Sequence, residues 1–405
     1  MKKLVSSVLA ASMVLSLAAC GSSASSAAES TAASSDAAST AATAEAGEGS
    51  GAYTGTPIKI GGIGPITGAA AVYGQAVKNA EELAVKEINA ANGSDVFEWK
   101  FEDDEHDAEK SVNAYNTLKD WGLQVLAGPV TTTPSLAVAA ETANDNIFMM
   151  TPSASAVDVI AAGDNVFQIC FTDPNQGVGA ADYMAENFAD AKIAVIYRND
   201  DAYSQGIRDA FVKEAGDKGL SIVYQGTFTL DTSSNFSVQL AAAQTAGADL
   251  VFLPIYYQPA SVIFAQAKAM GYAPTFFGVD GMDGILDMPG FDTTLAEGLV
   301  LMTPFCATVE SSKSFVDAYT AAYGTTPNQF AADAYDGVYI VKAALEQAGC
   351  TADMSNEEIC DALVSAITSL KFTGLTGTDM SWNAEGQVSK APTAYVVKDG
   401  QYVEG

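Results

Sequence analysis

From Pro57 onward the chain switches between two hydrophobic rhythms. Ile58-Lys59-Ile60-Gly61-Gly62-Ile63 is a short apolar run of strand type, and Ala71 to Ala91 then places Ala76, Ala80, Leu83, Ala84, Glu87 and Ile88 on one helical face, most of it apolar. Strand patterns recur at Phe97–Glu102, Val125–Gly128 and Phe148–Thr151. Helical patterns fall between them, from Ala108 (Val112, Tyr115 and Leu118 on one face) and over Pro134–Ala143. The alternation resumes after Asp173, with strands at Lys192–Tyr197, Leu220–Thr229, Asp249–Leu253 and Thr275–Gly278. The intervening helices are expected at Ser204–Lys218, Phe236–Ala246 and Ala260–Met270. Strands alternating with helices predict βαβ units, an α/β fold and largely parallel sheets covered on both faces.

In such sheets the loops after the strands gather along one edge, where ligands bind. Those loops are Gly64–Gly68 leading to Tyr73-Gly74, Pro129–Thr133, Thr151–Ser155, Asp200–Tyr203, Tyr256-Tyr257 and Asp280-Gly281. Thr131–Thr133 and Ser153–Ser155 are rich in hydroxyls. At a helix start, such groups and free backbone N–H groups can hold an anion such as a carboxylate, or simply cap the helix. Asp280 could hold a cation or only shape an Asp-Gly turn. Tyr73, Tyr203, Tyr256 and Tyr257 bring rings with polar tips, which suit an apolar pocket with a few polar groups.

The start of the chain adds a location. Lys2 and Lys3, an apolar run to Leu17 and small residues before Cys20 make a secretory leader, too short to anchor as a membrane span. Leu17-Ala18-Ala19-Cys20 resembles the bacterial lipobox, which implies cleavage after residue 19 and lipidation of Cys20. The stretch from Gly21 to about Thr56 is poor in large apolar residues and is expected to be a disordered tether. The remaining ~350 residues suit about two domains.

Net charge is −30, which argues against nucleic acid as a partner. His106 is the only histidine. It lies in Asp103–Asp107 and reads as a solvated surface residue. Nucleophile elbow, P-loop and EF-hand patterns are missing, so binding is a simpler account than catalysis, and no cofactor or metal is expected. Cys170, Cys306, Cys350 and Cys360 form no CxxC. Cys170 with Cys306, or Cys350 with Cys360, are candidate disulfides alongside free buried thiols.

The loop motifs taken together, with Gly128–Pro134, Tyr203-Ser204-Gln205-Gly206, Gly278–Gly281 and Trp382-Asn383, resemble the branched-chain amino acid binding proteins of ABC importers from about Pro57 to Tyr402. The resemblance implies a type I periplasmic binding fold: two doubly wound parallel-sheet lobes on a three-segment hinge, closing around an amino acid. It implies lobes at 57–172 plus 304–380 and at 173–303 plus 381–405, with crossovers near Thr172–Asp173, Thr303–Pro304 and Asp379–Trp382. Thr132 and Ser155 would hold the ligand carboxylate. Asp280 would pair with the ammonium, helped by the Ser153 carbonyl and the Tyr203 hydroxyl, and Tyr73, Val130, Tyr256 and Phe330 would line the side-chain pocket. The family often has Glu at the Asp280 position and Ser at the Thr132 position. The implied protein is a monomeric, lipid-anchored, extracytoplasmic partner of a membrane permease. A ligand-sensing module, or a binding protein for an amide or organic acid, is the alternative.

Overall fold

The computed structural model describes residues 43–44 and 52–404; the expected leader, Cys20 and most of the tether lie outside the described residues. Where the tether is described it departs from expectation. Thr43–Ala44 pairs antiparallel with Phe372–Thr373. The Tyr53 N–H donates to Asn92 Oδ1 at 2.7 Å, and Asn92 Nδ2 donates back to the Tyr53 carbonyl at 2.8 Å. The side-chain amide of Asn92 thus ties the chain down upstream of Pro57.

Two sheets organise the rest. The first is parallel throughout, in the spatial order Phe97–Asp103, Ile58–Gly64, Val125–Ala127, Phe148–Thr151, Val166–Gln168. The second runs Gln401–Glu404, Thr393–Lys398, Val300–Thr303, Thr275–Gly278, Leu250–Leu253, Lys192–Arg198, Ser221–Phe228. Its last five strands are parallel, and Thr393–Lys398 and Gln401–Glu404 are antiparallel additions. In both sheets the second strand in sequence lies outside the first and later strands lie on its other side. Each therefore has a switch point where neighbouring loops part and leave a crevice. Strands such as Val125–Ala127 and Phe148–Thr151 are buried at every position, as a sheet covered on both faces requires.

The helix Ala71–Asn92 forms where the pattern placed it. It buries Tyr73, Ala76, Val77, Ala80, Ala84 and Ile88, and it stops at Gly93, whose φ of 77° forms a left-handed cap. It packs on the long helix Gln329–Ala348. After the first sheet the chain passes through residues 169–172 into the helix Asp173–Asn187, which packs on Ala202–Lys218 beside the second sheet. It leaves after Val300–Thr303 for helices that pack on the first lobe and returns to form Thr393–Lys398. Three passes join two α/β lobes.

Cys170, Cys306, Cys350 and Cys360 are free and buried, so neither candidate disulfide forms. Each thiol of the first pair has local partners. Cys170 Sγ lies 3.8 Å from Gln168 Nε2, and Cys306 Sγ faces Thr308 Oγ1 at 3.1 Å and the Tyr402 carbonyl at 3.5 Å. Cys350 follows the end of Gln329–Ala348, whereas Cys360 is buried on the helix Asn356–Ile367.

One core group makes stability depend on pH. Glu81 is fully buried, accepts from Trp99 Nε1 at 2.9 Å, and leaves Oε1 without a partner. Burial pushes its carboxyl from 4.5 up to about 8, against the opposing pull of the Trp99 bond. The folded chain therefore holds this proton more tightly than the unfolded chain. The stabilisation is complete below the unfolded value near 4.5 and is lost as pH rises through about 8. It amounts to ~3–5 kcal/mol. Raising pH from about 5 to about 8.5 is expected to lower the thermal midpoint by several degrees, and Glu81→Gln to remove most of that fall. Midpoints of both chains at the two pH values check this; an equal fall in the variant would place the effect elsewhere.

Candidate functional site

Tyr73 stands at the start of Ala71–Asn92, where a Cβ on Gly74 would collide with the Pro65 backbone. That close approach lets the 64–68 loop lie against the helix and fixes the ring. The Tyr73 hydroxyl crosses to the second lobe, donating to the Gly281 carbonyl and accepting from the Tyr257 N–H at 3.3 Å. Its ring lies 4.3 Å from Phe330, 5.1 Å from Tyr257 and 5.4 Å from Tyr256 between centroids. The Tyr257 hydroxyl reaches back to the Ala69 carbonyl at 2.9 Å. Tyr203 stacks tilted on Tyr256 at 4.9 Å. These rings form one aromatic cluster drawn from both lobes.

Asp280 sits at its base and is buried. The Tyr203 hydroxyl donates to Asp280 Oδ1 at 2.5 Å, and the Gly281 N–H points at the same oxygen at 2.6 Å. Both of these bonds fall on Oδ1. The Asp280 N–H donates to Gln176 Oε1 at 3.2 Å, and Gln329 Nε2 donates to the Asp280 carbonyl at 2.7 Å. Burial pushes the carboxyl up to about 7; the bonds from Tyr203 and Gly281 oppose this and the Asp333 charge adds to it.

The hydroxyl loops belong to the first lobe. Thr132 begins the helix Thr132–Asp145. The Ser153 hydroxyl donates to the Val130 carbonyl at 2.6 Å, and the Thr151 hydroxyl to the Pro129 carbonyl at 2.6 Å, so the two loops are stitched together. The Ser155 carbonyl accepts the Asp173 N–H at 2.9 Å. Five buried side-chain atoms here have no protein partner: Thr132 Oγ1, Ser155 Oγ, Gln176 Nε2 and both carboxylate oxygens of Asp173. Burial raises the Asp173 carboxyl well above the usual range, with the charges of Asp280 and Asp201 pushing the same way. Buried polar atoms are nearly always paired. Left without a protein partner, these atoms are free to meet a polar guest.

Asp173, Gln176 and Gln329 are not among the residues singled out from sequence. The signal for the first two is Thr172-Asp173-Pro174, a capping hydroxyl followed by Pro in the first helical turn. Gln329 carries no such signal. His106 departs from its expected place on the open surface. It is half-buried between the lobes, with Nδ1 2.8 Å from Thr131 Oγ1 and its ring 5.7 Å from Tyr256. Among the described residues no group of three or more His, Cys, Asp or Glu side chains is placed to hold a metal ion, and no helix is long and apolar enough to cross a membrane.

Residues 57–401 match the periplasmic binding protein family. The chain belongs to that family. This periplasmic binding protein is 30% identical over 310 residues to the Leu/Ile/Val-binding protein homolog 3 of Brucella melitensis, an overlap of 76% of this chain and 83% of the relative. The branched-chain amino acid transporter substrate-binding protein LivJ of Streptococcus pneumoniae, solved with isoleucine, is 28% identical with a TM-score of 0.75, and the match covers 86% of this chain and 98% of that one. A solute-binding protein of an ABC transporter from R. palustris, solved with benzoate, also has a TM-score of 0.75, at 20% identity over 86% of this chain and 95% of that one. That last likeness is one of fold alone. The family is one of solute-binding proteins rather than enzymes, and it implies an extracytoplasmic location.

Proposed function

We propose that the chain is a lipid-anchored, extracytoplasmic substrate-binding protein that captures a small branched-chain or similar amino acid between its lobes and hands it to an ABC importer permease. The observation that carries this reading is a set of buried polar groups left without partners. Asp173 offers a carboxylate with no partner, Asp280 a buried carboxylate bonded through Oδ1, and Thr132 and Ser155 hydroxyls with no partner. A zwitterion answers both, its ammonium going to Asp280 Oδ2 and its carboxylate to Thr132 and Ser155. Tyr73, Val130, Tyr256 and Phe330 supply the apolar wall, Tyr203 steadies Asp280, and the Ser153 carbonyl assists the ammonium. The S. pneumoniae relative bound to isoleucine supports the ligand class.

In this account the lobes are 57–172 with 304–380 and 173–303 with 381–405. Cys20 carries the lipid, and the chain acts as a monomer without catalytic chemistry or cofactor. The test is a thermal-shift screen against leucine, isoleucine, valine, threonine and alanine at millimolar concentration. A ligand with micromolar affinity stabilises by roughly 4 kcal/mol there and shifts the midpoint clearly. A shift with benzoate and none with any amino acid would overturn the assignment.

A further inference from the structure

His106 occupies a backbone position that costs energy. Glu105 and His106 have φ values of 51° and 61°, in the left-handed region that non-glycine residues rarely adopt. Two carboxylates hold them there: Asp103 Oδ1 accepts the Glu105 N–H at 3.0 Å, and Asp104 Oδ1 accepts the His106 N–H at 2.9 Å. The effect of this turn is to aim the chain's only imidazole inward. On its own lobe it meets Thr131, the residue between Val130 and Thr132. Thr131 precedes the helix Thr132–Asp145 but makes no side-chain cap bond to it; its hydroxyl pairs with His106 instead. Across the cleft His106 meets Tyr256, and together with Arg198, Asp201 and Tyr256 it lines a cavity of about 70 Å³ between the lobes.

We propose that His106 is a positioning residue for the ligand site and makes closure acid-sensitive: neutral, it braces the Thr131–Thr132 loop and packs against Tyr256, whereas protonated it opposes closure and favours ligand release. This rests on the cleft being the amino-acid site proposed above.

The charges around the ring set the sign. On its own loop, Asp103 is engaged with backbone N–H groups, Asp104 bonds the His106 N–H through Oδ1 while burial and an unpartnered Oδ2 leave its carboxyl pushed up to about 7, Glu105 pairs with Lys110 at 2.6 Å, and Asp107 caps the next helix through the Lys110 N–H. From the second lobe come Arg198, paired with Asp200 at 2.7 Å, and Asp201, which accepts the Ser204 N–H. Burial holds the imidazole down from 6.5 to about 4; the Arg198 guanidinium pushes the same way and Asp107 opposes. When the lobes part, Tyr256 and Arg198 move away and water returns, so the ring titrates nearer its ordinary value. The closed form then binds this proton more weakly than the open form. Closure is fully favoured above about 6.5 and weakens as pH falls from there toward about 4. Because the ring is partly exposed, about a tenfold loss of affinity between pH 7 and pH 5 is expected from this group.

A single histidine gives a single imidazole C2–H resonance. The titration is followed by proton NMR on the chain carrying no histidine tag, alone and with saturating isoleucine. The expected result is a midpoint lower by at least about one unit with isoleucine bound. Equal midpoints with isoleucine demonstrably bound would overturn the role of His106 and leave the site assignment standing. No isoleucine binding at all would remove the site assignment and this inference with it. Calorimetry on His106→Asn, which can still bond Thr131 but cannot charge, is the second arm. Its ratio of isoleucine affinities at pH 7 and pH 5 is expected to be about tenfold smaller than that of the unaltered chain, whereas an unchanged ratio would assign the pH dependence to a carboxyl, Asp280 or Asp104, and end the proposal.

Discussion

Asp280→Asn is expected to weaken binding of the best amino acid ligand by about 30-fold to several-thousand-fold, or roughly 2–5 kcal/mol. The substitution keeps the size of the side chain and removes its charge. Closure then buries the ligand ammonium with no counter-charge, which is the costly way to break a buried pair. Both hydrogen bonds to Asp280 fall on Oδ1, and an amide oxygen can go on accepting them, so folding is expected to survive. The pH profile should change as well. In the empty site burial raises the carboxyl to about 7, and a bound ammonium favours the ionised form. Affinity in the unaltered chain should therefore fall as pH drops below about 7, and that portion of the fall should vanish in the variant. Calorimetry at several pH values measures both effects. A loss below about threefold, worth ~0.6 kcal/mol, would mean that Asp280 only shapes its turn.

The double variant Thr132→Val, Ser155→Ala should show the second-largest effect. A hydrogen bond to a charged group contributes ~1.5–3 kcal/mol, so losing two is expected to cost about 100-fold or more. The stability of the empty protein separates a binding role from a structural one. Neither hydroxyl has a protein partner, so removing them orphans no protein group, and the ligand-free thermal midpoint should hold or rise slightly. A falling midpoint with affinity intact would show that the hydroxyls serve the fold.

The parts of the site legible in sequence lie on loops that follow short apolar strands, because a strand buried on both faces is a continuous apolar run and its end is abrupt. Tyr73, Val130, Thr132, Ser155, Tyr203, Tyr256 and Asp280 all follow such ends. The helix expected from Pro134 begins at Thr132; proline is accepted in a first turn, so Pro134 did not mark the start. Gln329–Ala348 escaped the periodicity because it is buried around most of its circumference from Gln329 to Val338, which leaves no polar stripe to set its phase. Gln329, whose side chain holds the Asp280 carbonyl, was lost with it. His106 was misplaced for a different reason. A run of five residues with four acids reads as solvated, yet Asp103 and Asp104 turn their carboxylates onto backbone N–H groups, Asp103 Oδ1 also taking the Ile66 N–H at 3.0 Å. Charge in a sequence does not reveal whether it faces water or a peptide group.

The central claim is that the cleft recognises the ammonium and the carboxylate of one small molecule at once. Calorimetry with leucine, with its deaminated acid and with its decarboxylated amine tests it most directly, since the three share one side chain. The account predicts micromolar or tighter binding of leucine and a loss of at least about 100-fold for each analogue, as expected when a buried charged partner goes unmet. Binding of the deaminated acid as tightly as leucine would contradict it.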